Sequence, residues 1–175
     1  MGDIVGFRKE NLIVGVLSTV DGVEPELTAV LEREFGRADL ISEEIDFNFT
    51  TYYDDEMGQS IKRWFYSFAE LTDPSELPRI KILTNKLEER WEAGGDRKIN
   101  LDPGLLDLNR LILATTKNVG HRIPLQDGIY GEVTLIYMKK AFHPLPWTYP
   151  DYQSSEYITI LKEIRILYRD KLKQK

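Results

Sequence analysis

The 175-residue chain has 23 Lys and Arg against 29 Asp and Glu, a formal net charge of −6, and it contains no cysteine. The composition therefore excludes disulfides, thiolate zinc sites and a cysteine nucleophile, and two histidines cannot form a histidine-rich metal site alone. This length predicts a single domain over 1–175 whose core needs no covalent or metal support. The first residues contain no apolar run of signal-peptide or membrane-spanning length, so we expect a cytoplasmic protein without a membrane partner.

The charge is distributed unevenly along the chain. Residues 1–60 hold 14 acidic and 4 basic side chains, whereas residues 61–175 hold 15 acidic and 19 basic ones. Sequence-independent DNA binding requires a continuous basic face, and RNA binding across a sheet is disfavoured for the same reason, so neither is expected. A smaller basic patch in the second part could still bind one anionic ligand.

Strand and helix patterns alternate in the first part of the chain. The apolar run at 12–18 predicts a buried strand. Pro25 suits the first turn of a helix, and apolar residues follow at helical spacing until Gly36. Alternating patterns over 39–49 and 60–71 predict two further strands, the second with aromatic side chains on both faces.

The segment Asp73-Pro74-Ser75-Glu76 has the pattern of a helix N-terminus. Asp is the N-cap, Pro occupies the first helical position and Glu completes a capping box, so we expect a helix that continues to Gly94. A short strand over 97–101 follows. This β-α-β-β-α-β order predicts an α+β fold with a ferredoxin-like sandwich over about 11–101, in which two helices cover one face of an antiparallel sheet.

Residues 102–175 are expected to extend this core. Asp102-Pro103-Gly104 predicts a turn. The elements expected after it are a strand or buried helix over 108–116, a hairpin of 121–125 with 129–137 around Asp127-Gly128, a short strand over 142–145, and a helix capped by Ser154 or Ser155. We therefore expect a C-terminal β-hairpin extension and a terminal helix.

Four clusters combine turn residues with functional groups. The first, 50–58, contains Tyr52, Tyr53 and Glu56 between two predicted strands. The tyrosine rings could stack on a ligand, and the carboxylates are suitable for a divalent cation such as Mg²⁺. The alternative is a single helical turn capped by Thr51, with its acids in solvent.

The second cluster is Asn100-Leu101-Asp102-Pro103-Gly104. A carboxylate that leaves a strand end next to an open loop is well placed for acid–base catalysis or, with Glu56, for binding Mg²⁺. Aspartate followed by proline is equally typical of a type I turn, in which Asp102 would have only a structural role.

The third cluster, 115–122, is the best candidate for an anion site. Thr116, Lys117 and Arg122 supply a hydroxyl, an ammonium and a guanidinium around a glycine-containing turn, which are the donors that a phosphate or a carboxylate requires. The alternative is the polar end of a hairpin that carries ordinary surface charges.

A two-residue turn at Asp127-Gly128 would set the register of the hairpin in this region. It would pair Leu125 with Tyr130, Ile123 with Glu132 and His121 with Thr134 on one face. Glu132 would then be a diagonal neighbour of His121 and could orient its imidazole ring for acid–base work. We therefore predict His121, Glu132 and Asp102 as candidate catalytic residues.

The fourth cluster is the proline-rich segment 146–152. Trp147 and Tyr149 could line a pocket or stack on a base or a sugar. The alternative is that the segment attaches the terminal helix to the sheet.

Several stretches in and around these clusters resemble one known family. They are Phe49-Thr50-Thr51-Tyr52-Tyr53, Glu56-Met57-Gly58, Asn100-Leu101-Asp102-Pro103-Gly104, Ala114-Thr115-Thr116-Lys117, His121-Arg122-Ile123, Gly128-Ile129-Tyr130, Glu132-Val133-Thr134-Leu135 and Pro144 through Tyr152. With them the chain resembles a prokaryotic family catalogued as a domain of unknown function (DUF4416), from Leu12 to the last helix. The resemblance implies membership but no activity, and it suggests that the four clusters form one shared site.

Together these residues predict binding of a small anionic ligand, phosphorylated or carboxylated, with nucleotides included. Lys117 and Arg122 would hold the anion, and Tyr52, Trp147 or Tyr149 would stack on the ligand. The alternative is a non-catalytic interaction or assembly module, whose proline-rich segment and exposed sheet edge bind a protein or a second copy in a homodimer. Whether the chain is an enzyme is left open.

Overall fold

The computed structural model describes residues 2–50 and 57–174. Within them the protein is an α+β fold in which nine strands form one sheet and three helices pack on it. The strands are β1 (Glu10–Ser18), β2 (Ala38–Ile41), β3 (Ile45–Asp46), β4 (Lys62–Thr72), β5 (Ile99–Leu106), β6 (Arg110–Thr115), β7 (Ile123–Pro124), β8 (Tyr130–Met138) and β9 (Ala141–Pro144). The helices are α1 (Glu24–Phe35), α2 (Leu77–Glu88) and α3 (Ser155–Lys173). No helix in this part of the chain is long and apolar enough to cross a membrane.

The strand pairs of the sheet are antiparallel. The strand order is β2-β4-β1-β5-β6-β8-β7, with β3 also paired to β4 and β9 also paired to β8. The strands of the expected extension thus continue the sheet of the expected core, and position 102 lies inside β5. The sheet is larger and more continuous than a four-stranded core with an added hairpin.

Helices cover both faces of the sheet, which explains why β1 is buried along its whole length. Successive residues of a strand point to opposite faces. Leu12, Val14 and Val16 belong to the hydrophobic cluster that contains α1 and α2, whereas Ile13 belongs to the cluster that contains α3. An apolar run without alternation is the pattern that a strand with two buried faces requires.

The ends of α1 and α3 follow the predicted capping residues. Pro25 lies in the first turn of α1, and the helix ends before Gly36, whose φ of 83° favours glycine. Ser154 caps α3 because its hydroxyl accepts a hydrogen bond from the Tyr157 backbone N–H at 3.2 Å.

The start of α2 differs from the predicted capping box. Asp73 accepts a hydrogen bond from the Ser75 backbone N–H at 2.9 Å, but the turn that it caps is the short 3₁₀ helix Pro74–Glu76. The Glu76 carboxylate accepts from Arg79 Nε at 2.6 Å instead of closing the box. The α-helix itself begins only after this turn.

The continuous strand predicted over 39–49 is wrong. The structure has two short strands there, β2 and β3, because Ser42 interrupts the ladder: its hydroxyl accepts a hydrogen bond from the Phe65 backbone N–H at 3.0 Å. The ambiguous segment 108–116 contains strand β6.

The turn predicted at Asp102-Pro103-Gly104 is also wrong, because these residues lie within β5 and pair with β1. Proline is tolerated there since the ladder between β5 and β6 covers only 104–106, which leaves Pro103 paired on one side. Gly104 allows a close approach: a Cβ on it would lie 2.6 Å from the Ile112 carbonyl oxygen. Residues typical of a turn thus serve a tight contact between strands.

The hairpin of β7 and β8 has the predicted turn, with Asp127 and Gly128 at φ values of 54° and 76°. The flanking backbone is less regular. Leu125 N donates to Ile129 O and Ile129 N donates to Gln126 O, each at 2.9 Å. Leu125 and Gln126 therefore share one partner, an arrangement with one extra residue, as in a β-bulge.

This extra residue shifts the hairpin pairs by one, so the predicted register is wrong. Ile123 pairs with Gly131 rather than with Glu132. Continuing this register places Arg122 beside Glu132, and this placement decides the contacts of the cavity described next.

Candidate functional site

A cavity of about 740 Å³ lies where β5 and β6 diverge. The ladder between them ends at the Gly104–Leu113 pair, and beyond it the two strands separate. Within the described ranges the lining residues are Phe47, Phe49, Thr50, Arg63, Lys81, Asn85, Glu88, Arg97, Asn100, Asp102, Leu113, Ala114, Thr115, Thr116, Lys117, Arg122, Glu132, Tyr149, Pro150, Asp151 and Tyr152. This volume is within the usual range for a small-molecule site.

Arg63 of β4 is a fully buried cation of this lining. Its guanidinium donates from Nη1 to Asp102 Oδ2 and from Nη2 to Asp151 Oδ2, each at 3.2 Å. Nε donates to the Tyr157 hydroxyl, also at 3.2 Å. The rings of Phe47, Phe65, Tyr152 and Tyr157 have their centroids 5.4–6.0 Å from the guanidinium carbon. The carboxylates and the aromatic faces together compensate the free-energy cost of burying the Arg63 charge away from water.

This guanidinium has room because residue 15 of β1 is glycine. A Cβ on Gly15 would lie 2.8 Å from Arg63 Nη1 and 3.3 Å from the Tyr152 hydroxyl. The first distance is shorter than real Cβ contacts, so a larger residue at 15 would displace Arg63.

The charges of this cluster stabilise one another. Burial alone would lower the pKa of Arg63, but the surrounding tyrosines and carboxylates raise its pKa well above the usual value, so the guanidinium stays charged. Burial alone would raise the pKa of Asp102, yet Arg63 and Lys81 lower it more, and its pKa lies below the usual value. Asp102 is thus a carboxylate between two cations, with Lys81 Nζ 4.0 Å from its Oδ1.

Helix α2 supplies a second group of paired charges. Glu88 Oε1 accepts from the Leu101 backbone N–H at 2.7 Å, and its Oε2 accepts from Arg97 Nη1 at 3.3 Å. Lys81 Nζ donates to the Leu101 carbonyl at 2.8 Å, which fixes α2 against β5. Burial raises the pKa of Glu88, and the nearby Lys81 and Arg97 offset only part of this rise.

Glu132 of β8 connects the residues of the third cluster. Its Oε2 accepts from Arg122 Nε at 2.7 Å and lies 2.8 Å from His121 Nε2. The predicted contact between His121 and Glu132 therefore exists, although the register that predicted it is wrong. Burial alone would lower the pKa of Arg122, but Glu132 and Tyr149 raise it above its usual value.

Segment 146–152 packs against the same network. Arg122 Nη2 donates to the Tyr149 hydroxyl at 2.8 Å. Trp147 stacks on His121, with ring centroids 4.8 Å apart and 9° between the planes, and its Nε1 donates to the Val133 carbonyl at 2.9 Å. One face of the Trp147 ring and its N–H are thus used within the protein.

The outer part of the cavity is formed by the end of β6 and the residues after it. Thr115 Oγ1 accepts a hydrogen bond from the Lys117 backbone N–H at 3.2 Å. Thr116, Lys117 and Tyr149 are exposed members of this lining. A hydroxyl-rich, positively charged segment therefore faces solvent at this end.

Some buried polar atoms of the lining have no hydrogen-bond partner among the described residues. They include the Tyr152 hydroxyl and Glu132 Oε1, and each of these two residues is 2% exposed. A buried polar atom left unsatisfied costs about 1–3 kcal/mol, so such atoms usually have a partner. The partner of such an atom can be water or a bound molecule.

The structure brings most of the predicted site residues together. Those that line the cavity are Asp102, Thr116, Lys117, Arg122, Glu132 and Tyr149. His121 and Trp147 lie behind this lining, in contact with Glu132 and Val133. The predictions for Tyr52, Tyr53 and Glu56 fall outside the described residues. The second, third and fourth clusters therefore share one cavity.

The sequence predictions missed Arg63, Lys81 and Asp151 as members of this group. A signal existed for Arg63, because it stands in a strand predicted to carry aromatic residues on both faces, where a charge needs a buried partner. No comparable signal marked Lys81, which looks like a solvated residue of an amphipathic helix.

The described part of the chain contains no group of three His, Asp or Glu side chains arranged to hold a metal ion. Asp102, one of the two predicted Mg²⁺ ligands, is flanked by Arg63 and Lys81, which repel a divalent cation. The other, Glu56, is among the residues not described.

Comparison with known proteins gives one match. The family model described as "Domain of unknown function (DUF4416)" matches residues 8–168. Searches of curated proteins and of solved structures found no match.

Proposed function

Because the chain belongs to the DUF4416 family, to which no activity is assigned, we propose its function from the cavity: it binds a small anionic ligand between β5, β6 and α2. The proposed ligand classes are carboxylates and phosphorylated compounds, and the latter include nucleotides. The ligand's anionic group lies at Thr115, Thr116 and Lys117, and its remaining part extends inward.

One observation carries the proposal. Residues that are far apart in sequence line a single cavity, and buried polar atoms of this lining, including the Tyr152 hydroxyl and Glu132 Oε1, have no partner within the described chain. Buried polar atoms nearly always have a partner, which supports a bound molecule or water as the partner of these atoms. Thr115, Thr116 and Lys117 contribute two hydroxyls and an ammonium to the described part of this lining, and these are donors suited to an anionic group.

The role of Arg122 in this proposal is to position the site. Its Nε, Nη1 and Nη2 donate to Glu132, the Lys117 carbonyl and Tyr149, which fixes the turn that carries Lys117. Lys117 then supplies the charge that meets the anion. The contacts of His121 hold Glu132 in place, and the proposal includes no reaction and no Mg²⁺.

A thermal-shift screen of the full chain tests the proposal. Nucleotides, sugar phosphates, inorganic phosphate and di- and tricarboxylates are added singly, with and without Mg²⁺. A ligand at one hundred times its Kd stabilises the native state by about 2.7 kcal/mol, which raises Tm by about 5–10 °C at this chain length. Lys117→Met should abolish the shift, whereas Lys86→Met, an exposed lysine of α2 outside the lining, should preserve it. A screen without any shift would refute the proposal.

We also propose that β1, β2, β4 and β5 with α1 and α2 correspond to a ferredoxin-like unit within the larger sheet. Support comes from their order, β2-β4-β1-β5. Helix α1 connects β1 to β2, and the antiparallel β4 lies between them; helix α2 connects β4 to β5, and the antiparallel β1 lies between them.

The cysteine-free composition fits a reducing compartment, and we place the binding in the cytoplasm.

The alternative, an interaction or assembly module, depends on segment 146–152 and a sheet edge. Exposed Ile123 and Leu125 near the edge strand β7 favour it. The intramolecular contacts of Trp147 and Tyr149 weigh against it, since these rings already serve the cavity wall. A homodimer in light scattering that Ile123→Lys dissociates would support this alternative.

A further inference from the structure

We infer that the ligand is a nucleotide whose base stacks on the ring of Tyr149. This inference rests on the proposed binding of an anion, and it names the class of ligand and the part of the cavity wall that the base contacts. The aromatic rings of the described lining support it, because they differ in how much of their surface a ligand can reach.

The described lining contains four aromatic side chains, and two of them have substantial accessible surface. Phe47 and Tyr152 are buried. Phe49 is 38% exposed and Tyr149 is 46% exposed. A flat, largely apolar surface is therefore available to a ligand at Phe49 and at Tyr149.

The two exposed rings differ in their contacts with other rings. Phe49 packs against Phe47 and Tyr157, with ring centroids 5.9 and 5.8 Å apart. Tyr149 has no such ring contact with any residue that the structure describes. Because other rings already pack against Phe49, Tyr149 is the better stacking surface for a flat ligand.

Tyr149 is also held in position by contacts within the protein. Its hydroxyl accepts a hydrogen bond from Arg122 Nη2 at 2.8 Å, and Arg122 Nε donates to Glu132 at 2.7 Å. Pro150 follows in the chain and restricts the backbone at Tyr149. A ring fixed in this way loses little conformational freedom when a ligand stacks on it, which favours binding.

A stacking surface distinguishes between the proposed ligand classes. Nucleotides combine an anionic group with a planar base, whereas sugar phosphates and aliphatic carboxylates have no planar ring. Stacking on an aromatic side chain is possible for every base, since each base has a π-face. The cavity of about 740 Å³ is large enough for a mononucleotide, because small-molecule sites usually have volumes in this range.

Calorimetry on the full chain with matched ligands tests this inference. The nucleoside 5′-monophosphates are compared with ribose 5-phosphate, and the nucleoside triphosphates with inorganic triphosphate, so that each counterpart lacks the base. We expect at least one nucleotide to bind about tenfold or more tightly than its counterpart, because the counterpart cannot stack on an aromatic ring.

Two substitutions of Tyr149 separate the effect of the ring from that of the hydroxyl. Tyr149→Leu removes both, whereas Tyr149→Phe keeps the ring and removes only the contact with Arg122. The ratio of nucleotide affinity to counterpart affinity should fall about tenfold in Tyr149→Leu and stay close to the wild-type ratio in Tyr149→Phe. Phe49→Leu removes the other exposed ring of the described lining and should leave this ratio unchanged.

The outcomes distinguish this inference from the proposed function. Equal affinity for nucleotides and for their counterparts without a base would overturn the inference while leaving anion binding intact. So would an affinity ratio that is the same in Tyr149→Leu and Tyr149→Phe, or binding of carboxylates but of no nucleotide. Absence of binding for every anion would overturn both.

Discussion

Replacing Arg63 by methionine removes the guanidinium and keeps most of its volume. The side chains of Asp102 and Asp151 are 24% and 8% exposed, so most of the penalty comes from Asp151, which water reaches least. Asp102 keeps Lys81 at 4.0 Å as a second cation. Breaking a buried ion pair by removing one partner costs about 3–5 kcal/mol, and we expect a loss of stability in this range at about pH 7.

The pH dependence of this loss has a definite sign. Arg63 lowers the pKa of Asp102 below 3.8, so in the wild type this carboxylate contributes stability that is present above that value and lost as the pH falls through its folded pKa. Without Arg63 burial becomes the dominant influence on Asp102, so the native variant binds a proton there more readily than the wild type does. The stability difference between the variant and the wild type should therefore shrink as the pH falls from about 7 to about 5.

Urea denaturation followed by far-ultraviolet circular dichroism measures both effects. Arg33→Met is the matched control, because the side chain of Arg33 is 61% exposed and its ion pair with Glu34 should contribute less than about 1 kcal/mol. The double variant Arg63→Met with Asp151→Asn should be more stable than Arg63→Met alone, because the buried Asp151 charge that has lost its partner is removed. A loss below about 1 kcal/mol, or one that stays constant with pH, would refute the reasoning.

Two further variants test the strand contacts and a second buried charge. Gly104→Ala places a Cβ 2.6 Å from a backbone oxygen, so it should lower the free energy of unfolding measured in urea by about 1–3 kcal/mol or more. Gly131→Ala is the control and should be nearly neutral, because the nearest contact of its Cβ would be 3.4 Å. Equal effects of the two variants would contradict the packing argument. Burial raises the pKa of Glu10 above 4.5, so the wild type should gain stability as the pH falls through this raised pKa towards 4.5. Melting temperatures measured across this pH range should show the gain in the wild type and in the exposed control Glu26→Gln, but not in Glu10→Gln. A pH profile of Glu10→Gln identical to that of the wild type would show that burial does not perturb this carboxylate.

Local patterns of the sequence predicted the elements more reliably than their arrangement. Pro25 and Ser154 mark helix starts because capping depends on neighbouring residues alone. Asp102-Pro103-Gly104 misled because the same residue types serve a turn and a tight contact between strands, and only the distance from Gly104 to Ile112 distinguishes them. Such a distance is set by strands that are remote in sequence.

The candidate site shows the same division. Thr116, Lys117 and Arg122 were predicted because donors next to a glycine-containing turn are visible locally. The partners of Arg63 were not, since Asp102 and Asp151 are 39 and 88 residues away along the chain. The contact of His121 with Glu132 was predicted from a register that is wrong by one residue, and the contact exists because side chains next to a strand pair can reach a diagonal neighbour.

The cavity and the docking of α3 depend on the same contacts. Arg63 binds Asp151, just before α3, and Tyr157, in its first turn, so one side chain of β4 holds the start of the helix against the sheet. Tyr152 lies between these two residues in sequence and lines the cavity. A molecule bound to the Tyr152 hydroxyl would therefore also restrain the start of α3, because opening that segment would break its contact. Ligand binding in this cavity should consequently slow amide hydrogen exchange at the start of α3 more than at its C-terminal end.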